Sequence, residues 1–382
     1  MKEVNEHLSS LADFVNDNNL FFPSSVRDSG GIRVVRELRG RFLGDRRNRI
    51  STTVDAIERC LLDPTVQKIL RVNRPELTDY SELLGLRRGR VYGIEYRLMG
   101  PTGSHKDLMV GALIVAQVMA RALPREGIDT LTDAGFFNSA LATKFYSAHF
   151  GLKGTYFIQD STPLNLLDDL QDENFEVVRV PVPVPESGID KKNETYLALL
   201  RRFHKDPNFL TRARHLGHAE IGFFAVMPYG RMLARLLAEK GIRPSAMVTS
   251  VGAGTTMVGI GEQLHDQLGL ELIVGEYAGL TPVRMKVPDH YAGEIVDNTR
   301  TDVAILEHAA KKGYDIGLTS AGGLALASYI AETEDKTVIT PIFEKFRDYT
   351  RDARKVISRA LELNPFIPED FWLKVGRVYS LH

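Results

Sequence analysis

Apolar positions along the chain change rhythm near residue 80. Before it they fall at helical spacing. Leu11, Phe14 and Val15 mark one face, and Ile57, Leu61, Leu62, Val66 and Ile69 mark another over 54–70. Pro64 removes a backbone donor inside that second run, so the pattern predicts two short helices there. Beyond residue 80, short strand-like runs alternate with longer helix-like ones. The strand-like runs are 91–96, 155–158, 175–180, 246–250, 272–277 and 336–340. The helix-like runs are 108–123, 139–149, 195–203, 232–240, 257–268 and 323–331. Such alternation predicts βαβ units: an α/β fold with mostly parallel sheets covered by helices. Val180-Pro181-Val182-Pro183-Val184-Pro185 cannot continue a ladder, because each proline lacks an N–H; it predicts a stiff connector.

With 382 residues the chain can bury a large core, and two lobes are expected. Its 43% hydrophobic and 25% charged content place it with globular proteins. A net charge of −1 gives no field to steer nucleic acid or an anionic membrane toward it. The basic stretch Arg33, Arg36, Arg39, Arg41, Arg46, Arg47 and Arg49 is offset only by Glu37 and Asp45. It reads as a solvated face or inter-lobe ion pairs, with a docking surface for an acidic partner as the other reading. One cysteine, Cys60, excludes an intrachain disulfide, and its apolar neighbours suggest a small core residue. No apolar run spans a bilayer and the first residues carry no apolar signal core, so a cytoplasmic location is expected. None of the ten histidines shows metal-ligand spacing with cysteine, so no metal is expected; His215 and His218 read as surface residues.

Candidate chemistry sits at junctions between the two rhythms, where ligands of parallel sheets bind. Gly100-Pro101-Thr102-Gly103-Ser104-His105-Lys106-Asp107 joins a strand-like run to an apolar helix-like run. Desolvation and the positive end of a helix both disfavour the ammonium form of Lys106. A neutral amine is what Schiff-base chemistry requires. A solvated lysine on a surface turn is the plain alternative. Ser250-Val251-Gly252-Ala253-Gly254-Thr255-Thr256 follows a strand-like run and opens a helix, which makes a candidate phosphate cradle. A nicotinamide dinucleotide is the competing ligand, with Glu276 near the ribose position, but Gly-x-Gly-x-x-Gly fails at Met257. In Gly317-Leu318-Thr319-Ser320-Ala321-Gly322-Gly323, Ser320 reads as a helix N-cap.

With Glu95 upstream, Pro101 to Asp107 resembles the active-site segment of fold-type II pyridoxal-phosphate (PLP) enzymes. These include cysteine synthase, threonine synthase, serine/threonine dehydratases and the tryptophan synthase β subunit. The resemblance covers roughly residues 75–345. It implies two α/β lobes with the cofactor between them, and a homodimer. The expected parts are a helical N-terminal extension (1–76), a larger cofactor-binding lobe (77–99 and 236–382) and a smaller mobile lobe (100–235). It implies that Lys106 holds PLP as an internal aldimine beside His105 and then moves the α-proton. Gly252, Ala253, Gly254, Thr255 and Thr256 would hold the phosphate, Asn138 the 3′-oxygen and Ser320 the pyridine nitrogen. A neutral hydroxyl leaves that nitrogen unprotonated, which favours replacement and elimination at Cβ over transamination. Ser104, Gly135, Phe136, Phe137 and Ser139 would meet the substrate.

The function implied is β-replacement on an O-activated serine-type or larger amino acid through an aminoacrylate. β-Elimination and threonine-synthase-like chemistry are its alternatives. Phe136 and Phe137 stand where the family has a small residue and glycine. They either narrow the substrate cradle or belong to the core, and they motivate a reading of another class, a non-catalytic PLP-binding subunit. Within 340–347 only Pro341 fits the family pattern, and the tail with Trp372 has no counterpart.

Overall fold

The computed structural model describes residues 6–20, 48–124, 127–160, 162, 164–181, 191–250, 255–275, 292–294 and 299–345. The arginine-rich stretch up to Arg47, the prolines Pro183 and Pro185, Gly252, Ala253, Gly254, Glu276 and Trp372 lie outside the described residues.

Three helices come first: α1 (Glu6–Asp17), α2 (Asn48–Leu62) and α3 (Pro64–Leu70). Pro64 opens α3, where its missing N–H costs nothing, and the Asp63 carboxylate accepts from Thr65 N at 2.8 Å. The expected break in 54–70 is therefore present. Leu8, Leu11, Val15, Ile57 and Leu61 share one core with the central helices of the fold. Cys60 lies in that core, and burial pushes its thiol up to about 12. That protonated thiol is inert, as a core residue should be.

The strands β1 (Leu77–Asp79) and β2 (Arg90–Ile94) pair antiparallel. There follow α4 (Lys106–Met119), β3 (Thr130–Gly135), α5 (Phe137–His149), β4 (Lys153–Gln159), α6 (Leu164–Leu170) and β5 (Phe175–Val180). Next come α7 (Lys191–Lys205), α8 (Pro207–Arg212), β6 (Ala213–His215), α9 (His218–Glu239) and β7 (Ala246–Ser250). The last elements are α10 (Glu262–Leu268), β8 (Glu271–Gly275), β9 (Ala292–Glu294), α11 (Thr299–Lys311), α12 (Leu318–Glu334) and β10 (Thr337–Pro341).

The strands form two sheets, ordered β1-β2-β10-β7-β8-β9 and β5-β4-β3-β6. Every pairing except β1 with β2 is parallel. The α/β architecture is the one the alternating rhythm predicts. Several short elements and α11 lie outside the expected runs, and two departures have identifiable reasons. Every residue of β3, Thr-Leu-Thr-Asp-Ala-Gly, is buried, so no period-two signal marks it. Helix α9 starts at His218, well before the expected 232, and runs through Pro228, which the pattern treats as a stop. Among the described residues, Ile221–Glu239 is the one helix long and apolar enough to cross a membrane, and 67% of it is buried inside the fold.

Candidate active site

The lysine turn is closed on itself before it meets anything else. Gly103 has φ +73°, and a Cβ there would meet Lys345 Cδ at 2.8 Å, so the turn needs glycine. The buried Asp107 carboxylate folds back over the turn. Its Oδ2 accepts from Thr102 N at 2.9 Å and Ser104 N at 3.4 Å, and its Oδ1 accepts from Thr102 Oγ1 at 2.7 Å. Ser104 Oγ accepts from Lys106 N at 3.3 Å, at the start of α4. The chain beyond β10 then pins the turn. His105 N donates to Phe343 O at 2.7 Å, Lys345 N donates to Gly103 O at 2.9 Å, and Ser104 pairs with Glu344.

Lys106 is half-buried at the first position of α4. The atoms packed round its amine strip it of solvent and lower it to about 8, while the carboxylates of Glu344 and Asp133 hold it from falling further. His105 is lowered well below its ordinary range, first by burial and then by the charge of Lys106. Its Nδ1 is buried without a hydrogen-bond partner, and its ring meets Phe343 edge-on at 4.8 Å.

Asn138 reaches the same place from the second sheet. Its Nδ2 donates to Glu344 Oε2 at 2.8 Å, and its Oδ1 is buried with no partner. Glu344 thus ties the lysine turn to α5. The two phenylalanines before Asn138 part company. Phe137 is 6% exposed and packs into a cluster with Ala140, Tyr156, Ile158, Leu166 and Phe175, whereas Phe136 is 38% exposed. Ser139 Oγ donates to Phe136 O at 2.9 Å and accepts from Tyr156 Oη at 2.7 Å, so its hydroxyl holds the loop's shape. Gly135 ends β3 with φ +154°. A Cβ there would meet His218 Cε1 at 2.7 Å, His218 Nε2 at 2.9 Å and Tyr156 Oη at 3.0 Å.

Ser320 is fully buried but is not the N-cap of its helix. Helix α12 begins at Leu318 and Gly317 stands at the cap. Ser320 Oγ instead accepts from Phe343 N at 2.9 Å, which leaves the hydroxyl proton to donate elsewhere. Thr255 and Thr256 are buried at the entry to a wide helical turn, Met257–Gly261. Gly252, Ala253 and Gly254, the rest of the expected cradle, lie outside the described residues. Glu95 serves β2: it accepts from Tyr80 Oη at 2.7 Å and Arg97 Nε at 2.8 Å.

Several buried ionisable groups at the site carry little signal in the sequence. Glu344 is 6% exposed at the junction of turn, α5 and α12. Its only signal is a place just after a strand of a parallel sheet. His215 and His218 were expected at the surface and are 0% and 4% exposed. Both face Asp133, in the second half of β3, at 3.7 and 3.1 Å. Strand β6, which ends at His215, is three residues long and mostly polar, so nothing in the pattern marks it as interior.

Residues 94–342 match the family model described as pyridoxal-phosphate dependent enzyme. Among solved structures, the chain is similar to isoform 3 of O-acetyl serine sulfhydrylase from Entamoeba histolytica, with TM-score 0.60 and 13% identity over 82% of this chain and 94% of that one. It is similar to a hydrogen sulfide-producing enzyme from Fusobacterium nucleatum, with TM-score 0.59 and 13% identity over 81% and 95%. An O-ureido-L-serine synthase gives TM-score 0.57 and 18% identity over 80% and 97%. These likenesses concern the fold. No curated protein matches the sequence.

Proposed function

The chain belongs to the pyridoxal-phosphate dependent enzymes, and from that premise we propose a β-replacement enzyme acting on an O-activated serine-type or larger amino acid. β-Elimination or threonine-synthase-like chemistry is the alternative outcome at the same site. The observation that carries the reading is Lys106: a lysine lowered to about 8, at a helix mouth, tied through Glu344 to Asn138. The donor set fits the cofactor. Lys106 offers an amine partly unprotonated near neutrality, Asn138 a buried amide oxygen without a partner, and Ser320 a hydroxyl whose acceptor side is already taken.

When bound, pyridoxal phosphate supplies a carbonyl that condenses with amines and a ring that draws electron density from Cα. Lys106 would hold it and, once released by an amino acid, take the proton from Cα. Gly252, Ala253, Gly254, Thr255 and Thr256 would hold the phosphate, and Asn138, Ser320 and His105 would frame the ring. Ser104, Gly135, Phe136, Phe137 and Ser139 would shape the substrate side, with Phe137 acting through packing. The lobes proposed are an extension 1–76, a larger lobe 77–99 and 236–382 round the six-stranded sheet, and a smaller, mobile lobe 100–235 round the four-stranded sheet. We place the enzyme in the cytoplasm as a homodimer, with a small amino acid as its substrate and neither nucleic acid nor membrane as partner.

Borohydride reduction followed by peptide mass spectrometry tests the reading. A pyridoxyl group is expected on Lys106, and Lys106→Ala should lose it along with about 10³-fold or more in turnover. The label on another lysine would sink the assignment. Screening O-acetylserine, O-acylhomoserines and larger analogues with sulfide should reveal a thiol-containing product. Release of pyruvate alone would favour elimination.

A further inference from the structure

A buried cluster outside the groups assigned above packs against Gly135. Asp133 is 1% exposed in the second half of β3, and its Oδ2 accepts from His218 N at 3.1 Å and lies 3.1 Å from His218 Nδ1. His215 Nδ1, from β6, stands 3.7 Å from Oδ1. Burial pushes the Asp133 carboxyl up, but the charge and hydrogen bond of His218 and the charge of His215 outweigh it and keep the group below the ordinary carboxylate range. The ionised carboxylate lies 3.1 Å from Nδ1 without the geometry of a hydrogen bond; its charge favours the ring proton on that nitrogen and leaves Nε2 to exchange protons with something else.

The Nε2 edge lies against Gly135. The place a Cβ would take at residue 135 is filled by His218 Cε1 and Nε2, at 2.7 and 2.9 Å. Glycine therefore sets an imidazole edge, in place of a side chain, beside the substrate loop. Around that imidazole stand Asp133 from β3, Tyr156 from β4 and His215 from β6; His105, before α4, feels its charge. The charge of Asp133 is felt in turn at Lys106.

On the reading that this site works at Cβ, we infer that His218, oriented by Asp133, gives its Nε2 proton to the group leaving Cβ. The protons and electrons balance. Lys106 Nζ takes the proton from Cα, and the electron pair left there forms the Cα–Cβ double bond. The Cβ–O bond breaks with its pair on oxygen, and oxygen takes the proton from His218. In replacement, the incoming nucleophile gives its own proton to His218 as it bonds to Cβ, and Lys106 returns a proton to Cα. Acetate departs as a stable anion and needs no acid; hydroxide and alkoxide do. Within the serine-type class proposed above, a β-hydroxyl or β-ether is the leaving group that needs this acid, and a β-ester does not.

His218→Asn keeps a donor where Nδ1 stands and removes Nε2. In the holoenzyme, the rate with L-serine relative to O-acetyl-L-serine should fall about 10²-fold. A parallel loss on both substrates, or an unchanged ratio, overturns the proposal. If His218→Asn does not fold, Asp133→Asn must lower the same ratio. A wild-type holoenzyme that turns over neither amino acid fails the β-chemistry reading and leaves His218 to a second measurement. Ring ¹⁵N NMR of the holoenzyme should show the His218 Nε2 resonance move on adding L-serine. A resonance that does not move overturns the role of His218 by itself.

Discussion

The two segments that face each other across the site are held by different physics. The lysine turn is held by polar groups: three donors converge on Asp107, and main-chain bonds tie residues 103–105 to 343–345. The loop after β3 is held by an aromatic ring: Phe137 sits in the core of the four-stranded sheet, and Tyr156 and Ser139 lock the bend above it. One anchor is directional and reaches across the molecule. The other is non-directional and local. A lysine must sit within a fraction of an ångström of its partner, which hydrogen bonds can enforce. The loop after β3 has a fixed root and leaves its tip, Phe136, half outside.

Four substitutions separate these two kinds of anchor. Phe137→Ala should have the largest effect on stability, about 3–5 kcal/mol in denaturant unfolding, since it empties a large volume from a closed cluster. Retention of full stability would mean that the ring leaves the core readily and belongs to the substrate pocket. Asp107→Ala should cost less, about 2 kcal/mol, by stranding the donors of Thr102 and Ser104. Its larger signature should be cofactor loss on dialysis, a loss Phe137→Ala should show only in proportion to unfolding.

Lys106→Met probes the polar side through pH. The fall from an ordinary 10.5 to about 8 corresponds to about 3 kcal/mol in full, and partial exposure should reduce it to about 1–2 kcal/mol. Between pH 8 and 10.5 the unfolded chain binds a proton that the fold does not, so wild-type stability should rise across that window. Cofactor-free Lys106→Met should therefore be more stable than wild type below pH 8 and equal to it above 10.5. Thermal unfolding at a series of pH values measures the difference, and a constant gap would exclude a buried ammonium as its cause. Phe136→Ala should have the smallest effect, under about 0.5 kcal/mol, because its ring is 38% exposed. It should instead change which amino acids compete best for the site.

What was legible in the sequence follows the same division. The lysine turn is written in consecutive residues, because Gly103, Ser104, Lys106 and Asp107 all act within one bend. The sheets were legible where strands alternate or follow a helix, and illegible at β3, buried on both faces. Glu344, Asp133 and His218 were missed because each gains meaning from a residue far away: Asn138 for the first, and each other for the remaining two. Phe136 and Phe137 were read as a pair, yet a helix start turns neighbours to different sides, and only the fold says which enters the core.

The pairing of Ser104 with Glu344 joins positions 240 residues apart. At ribosomal rates of about 5–20 residues per second, roughly 10–50 s pass between the synthesis of the two. During that interval the bonds from Phe343 and Lys345 that fix residues 103–105 do not exist. The nascent chain can complete the four-stranded sheet, whose last strand ends at His215, well before then. Cofactor capture should thus be among the final events of folding, and a ribosome stalled before residue 340 should display a chain with one formed sheet and no competent lysine.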